Sequence, residues 1–116
     1  MPKKQPAFAD VYGIAPALIG DAHRAHRRCA VVHSREDYVT VFGRTTKTKE
    51  FEASSCLLSD VEHSCRLDKP GMYSTRFQHS VVRANFNEEH KCEYYGTLAP
   101  ESAEKLRKFW ERLLGY

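Results

Sequence analysis

The chain has 116 residues, 41% hydrophobic and 28% charged, with a net charge of +3. That is enough for one globular domain and its core. No apolar run approaches the ~20 residues of a membrane helix, and Met1 to Pro6 carries two lysines with no apolar segment behind it, so neither a span nor a secretory signal is read and a cytoplasmic protein is expected.

Residues 1–116 read as a single domain, with 1–6 a frayed lead-in. Phe8 to Ile14 mixes aromatic and β-branched residues and predicts a first strand, closed by Gly13 and Pro16. Ala15 to Arg27 has no period and reads as a long exposed loop, a length more often found where a loop has work to do. Cys29–Val32 and Tyr38–Phe42 are short apolar runs rich in valine and aromatics, separated by Ser34-Arg35-Glu36-Asp37. They predict two strands joined by a short loop. Thr45 to Lys49 is a polar turn, and Phe51 to Leu58 a further strand. Ser59 to Lys69 is a polar stretch, and Pro70-Gly71 a turn. Phe77 to Phe86 predicts another strand, with Phe77, His79, Val81, Arg83 and Asn85 on one face. Asn87 to Lys91 is a charged loop, and Cys92 to Gly96 a last extended piece. From Pro100 to Leu114 an apolar stripe recurs at steps of three and four: Ala103, Leu106, Phe109, Trp110, Leu113, Leu114. With Pro100 at the first position, acidic residues in the first turns and Gly115 behind it, this segment predicts a helix over 100–114. Four or five strands before one helix imply a mainly β (α+β) protein, an antiparallel sheet most simply closed as a small barrel.

The four cysteines are expected as reduced thiols, with Cys29 buried in its strand. His63/Cys65 and His90/Cys92 could in principle supply four zinc ligands, but the spacing is not a strong zinc signature, so no metal is assigned.

The strand pair carries the candidate chemistry. Arg24, Arg27, Arg28, Arg35 and Arg44 crowd it, and Thr45-Thr46 follow the second strand. In an antiparallel pair the start of one strand meets the end of the next, so Arg28 and Thr45 are expected to meet at one sheet edge. A guanidinium fork with hydroxyl donors suits a phosphate. Tyr38 is a candidate for stacking on a base.

These pieces, in this order, resemble the MazF/PemK (Kid) toxins of bacterial type II toxin–antitoxin modules: Arg28-Cys29-Ala30-Val31-Val32, Val39-Thr40-Val41-Phe42 running into Thr45-Thr46-Lys47, Ser80-Val81-Val82-Arg83, and Gly96-Thr97-Leu98-Ala99-Pro100-Glu101. The resemblance covers Asp10 to Gly115. It implies an SH3-like barrel that dimerises, acts as a metal-independent endoribonuclease on single-stranded RNA without a cofactor, and is neutralised by a cognate antitoxin. It carries catalytic roles onto Arg28, Thr45 and Arg83, with His23 or His26 as the loop histidine, and matches Thr46 and the Asn85 position. Lys47, Arg27, Arg44, His79 and Tyr38 are further candidate RNA contacts from their own charge, aromaticity and place near the basic edge. Asn85 stands where PemK-type members have an acidic residue, and Cys29 where the family has proline. In such chemistry the 2′-hydroxyl attacks the adjacent phosphorus, and histidine is the better base because arginine stays protonated. The competing expectation is a non-catalytic barrel that binds nucleic acid or protein, such as a gyrase-inhibiting toxin of related fold.

Overall fold

The computed structural model describes residues 5–20, 25–47 and 55–115. Its strands are β1 (Asp10–Ile14), β2 (Arg27–Ser34), β3 (Tyr38–Thr45), β4 (Cys56–Ser59), β5 (Gly71–Val82) and β6 (Cys92–Thr97), followed by one helix, α1 (Pro100–Leu113). The strands form one sheet in the order β4-β5-β3-β2-β1-β6, and every pairing is antiparallel. The expected antiparallel sheet with a C-terminal helix is present, with six strands in place of four or five.

β2 and β3 read as nearly unbroken apolar runs because both their faces are buried. On one face, Val11, Ala30, Val32, Phe42 and Tyr73 join Leu106 and Phe109 of α1. Phe42 packs against Phe109 and Trp110, with ring centroids 5.7 Å away in each case. Burying side chains of this size is worth about 2 kcal/mol each. Leu113 and Leu114, at the end of the helical stripe, stay exposed. On the other face, Tyr12, Ile14, Cys29, Val31, Val39, Val41 and Val81 pack with Ile19, Phe86 and Cys92. Cys65 belongs to the first cluster and Cys92 to the second. The sheet therefore stands between these thiols, and the two His/Cys pairs do not converge.

Three segments differ from the sequence reading. β1 begins at Asp10 rather than Phe8. The Asp10 carboxylate is buried and accepts from the Ala7 amide (2.9 Å) and the Thr97 hydroxyl (2.7 Å), which ties the chain into a turn before the strand. The strand expected over Phe77–Phe86 runs instead from Gly71 to Val82, and Arg83–Asn87 form a 3-10 turn. The alternation holds through Val82, and then the chain bends so that Phe86 meets the edge of the Tyr12 ring at 5.0 Å. Arg83 is thus a turn residue and not a mid-strand charge. The polar stretch Ser59–Lys69 is also a piece of core: Cys65 and Leu67 are fully buried within it. The Phe51–Leu58 strand is present as Cys56–Ser59, with 51–54 outside the described residues.

The Ser59–Lys69 segment, and not a strand pair, reaches from β4 to β6. Among the described residues no pairing joins β4 to β6. Residues 62–67 bridge the gap, pinned by a Glu62–Leu67 β-bridge. The Glu62 carboxylate accepts from the Ala99 amide (2.8 Å) and the Ser102 hydroxyl (2.9 Å), which supplies the N-terminus of α1 with an acidic cap that Ala99 lacks. On β6, a Cβ at Gly96 would lie 2.5 Å from the Ser64 carbonyl, and its φ is +155°, so glycine is needed for this approach. Among the described residues no helix is long and apolar enough to cross a membrane.

Candidate nucleic-acid interface

The β2–β3 register sets what can meet. Cys29 lies opposite Gly43, and continuing outward brings Arg28 beside Arg44 and Arg27 beside Thr45. Side chains alternate between faces. Arg28 and Thr45 therefore share one end of the sheet but project from opposite faces, which corrects the expectation that the two groups meet there.

On the helix-side face, the Arg28 guanidinium donates from Nε to the Arg66 carbonyl (2.5 Å) and lies 5.8 Å from the centroid of the Tyr95 ring. The Arg66 guanidinium lies 4.5 Å from the same centroid, and its NH1 is 3.5 Å from a Glu93 carboxylate oxygen. Tyr95 can lie there because Gly13 has no side chain: a Cβ would fall 2.2 Å from the tyrosine hydroxyl oxygen. On the opposite face, Arg27 donates to the Arg44 carbonyl (3.0 Å) and stacks 4.9 Å from the Phe77 centroid. The Thr45 hydroxyl accepts from the Lys47 amide (3.1 Å), which shapes the turn carrying exposed Thr46 and Lys47.

Arg44, expected to contact RNA, is 6% exposed. It donates to Ser59 Oγ (2.9 Å), the Ser59 carbonyl (3.1 Å) and the Lys69 carbonyl (2.6 Å). Burial lowers its pKa. A cation this enclosed is held because loop carbonyls replace its water, so it anchors β3 to the bridging segment and is not presented to solvent.

Arg83, Asn85 and Tyr38 lie at the other end of the strand pair. Six residues of extended chain separate Arg28 from Ser34, about 20 Å. There Arg83 donates to the Arg35 carbonyl (2.8 Å), to Gln5 Oε1 (3.2 Å) and to the Ser34 hydroxyl. Asn85 is half-buried, and its carbonyl accepts from the Glu88 amide. Tyr38, 40% exposed, lines an open cleft with His33, Arg35, Glu36 and Asp37. Arg83 thus stands at the far end of the strand pair from Arg28, with which the resemblance groups it as catalytic. His79 sits in mid-sheet opposite Val41, on the Arg27 face. His26 is half-buried just before β2, and His23 lies outside the described residues.

Sequence reasoning missed Arg66, Tyr95, Glu93 and Phe77 as neighbours of the arginine pair. They reach it from strands and loops dozens of residues away, and no local spacing announces them. Charge and aromaticity side by side in Glu93-Tyr94-Tyr95 were the only hint. Compared with models of protein families and with curated proteins, the chain matches none.

Proposed function

We propose that this chain is a metal-independent endoribonuclease of the MazF/PemK type, a toxin that cuts single-stranded RNA, works as a cytoplasmic homodimer and is neutralised by an antitoxin. One observation carries the RNA part of this reading. Arg28 spends only Nε, on the Arg66 carbonyl, so its two terminal nitrogens have no hydrogen-bond partner among the described residues. A planar fork in that condition, with Arg27 and Lys47 at the same sheet end, suits a phosphodiester. The activity itself rests on the resemblance.

The chemistry belongs to the RNA. Its 2′-hydroxyl attacks the adjacent phosphorus, the 5′-oxygen leaves with a proton, and a 2′,3′-cyclic phosphate remains. Arg28 would hold the charge of the pentacoordinate intermediate, a contribution of about 3 kcal/mol to the rate. The base would be a loop histidine, His23 or His26. Thr45 would shape the turn that presents Thr46 and Lys47. Arg83 would hold the hairpin in place and take no part in catalysis.

The test is purified protein with single-stranded RNA in excess chelator. Cutting that leaves cyclic phosphate ends and is lost in Arg28→Ala supports the proposal, as does growth arrest by wild type but not by the variant. A second reading is a non-catalytic RNA binder, favoured because Thr45 faces away from Arg28. Retention of RNA with no cutting would select it.

A further inference from the structure

We propose that Arg66 is the second half of a phosphate clamp, with Tyr95 as its platform; the inference rests on the RNA-binding reading above. Three independent features meet at this residue. Its guanidinium and that of Arg28 lie 4.5 and 5.8 Å from the centroid of one tyrosine ring. Two cations beside the same ring bring positive charge that its negative face offsets only in part. An anion within reach of both would offset more of it.

The Arg66 carbonyl also accepts from Arg28 Nε, so the Arg28 side chain is tied to the backbone of Arg66 before any ligand arrives. Finally, Arg66 itself is left-handed, φ +58° and ψ +31°, at the end of the His63–Cys65 3-10 turn. Glycine would adopt that backbone at lower cost. Strain retained at an exposed arginine points to a use for the side chain. Glu93, 3.5 Å from Arg66, is the carboxylate a phosphate would displace.

The clamp is specific in its chemistry. Two guanidinium groups beside an aromatic ring suit a phosphodiester whose neighbouring base stacks on that ring. The segment is rigidly seated, because Cys65 and Leu67 on either side are fully buried. Arg66 therefore adds a fixed contact and not a flexible surface charge.

The test compares wild type, Arg66→Gly and Arg28→Ala for affinity to a single-stranded RNA oligonucleotide over a series of salt concentrations, with thermal unfolding in parallel. Arg66→Gly is expected to melt no lower than wild type, since glycine relieves the backbone. It should bind about tenfold more weakly, and the slope of log K against log salt should fall by about 0.7, the loss of one phosphate contact on a single strand. Wild-type affinity and slope in Arg66→Gly would overturn the clamp. Failure of wild type to bind RNA at all would instead overturn the reading on which it rests.

Discussion

At one end of the β2–β3 pair, Arg28 makes a single hydrogen bond to a backbone carbonyl and otherwise lies beside a tyrosine ring. At the other end, Arg83 is bonded to the Arg35 carbonyl, the Ser34 hydroxyl and the Gln5 amide. Arg28 stands at the start of β2 and Arg83 just after β5, and both are half-buried. The difference lies in how many acceptors the surrounding loops provide. The hairpin loop and the N-terminal segment fill the donors of Arg83, so it staples two pieces of chain. The bridging segment offers Arg28 one carbonyl and a second cation, so its charge stays available. Arg44 takes the first arrangement to its limit.

The contrast can be broken by removing each arginine in turn. The largest effect is expected from Arg44→Ala, which strands the Ser59 and Lys69 carbonyls without their donor. Chemical denaturation should show a loss of about 3 kcal/mol, while RNA affinity per folded molecule stays near wild type. Arg28→Ala should do the reverse. Its folding free energy should move by no more than ~0.5 kcal/mol, and titration with single-stranded RNA should show binding weakened about tenfold or more. Arg83→Ala should cost about 1 kcal/mol of stability and leave RNA affinity unchanged. Equal losses of affinity in Arg28→Ala and Arg83→Ala would erase the distinction between the two ends.

The smallest effect concerns the rigidity of the bridging segment. Burial, then the Glu62 carboxylate, pushes the Cys65 thiol up to about 11. An unfolded thiol ionises near pH ~8.5. Above that pH the unfolded chain has released the proton and the folded chain has not, so stability falls as pH rises toward 11, and the contribution is complete below the unfolded value. Denaturation midpoints measured from pH 8 to 11 should decline, and Cys65→Ala should flatten part of that decline.

Much of the fold was legible in the sequence. Val-rich β2 and β3 with their short loop, the last strand at Cys92, and the helix from Pro100 each announce themselves by local pattern. The bridging segment did not, because Cys65 and Leu67 are two apolar residues in a polar run and only tertiary packing reveals them as core. Arg83 was misplaced because alternation continues smoothly into a turn whose cause, Phe86 against Tyr12, is 74 residues away in sequence. Of the candidate site, the cluster of arginines at one sheet end was readable, but the division of labour was not. Pairing Arg28 with Thr45 required the register, and one residue of difference sets them on opposite faces. Arg66 gave no signal, since a left-handed backbone at arginine is invisible until the chain is folded.

The most direct measurement is the footprint of a single-stranded RNA oligonucleotide on the folded protein, read residue by residue from backbone amide NMR shifts. The shifts should concentrate at Arg27, Arg28, Lys47, Arg66 and Tyr95 and leave Arg35, Asp37 and Arg83 in place. A footprint centred on the hairpin cleft, with the Arg28 end silent, would contradict the account.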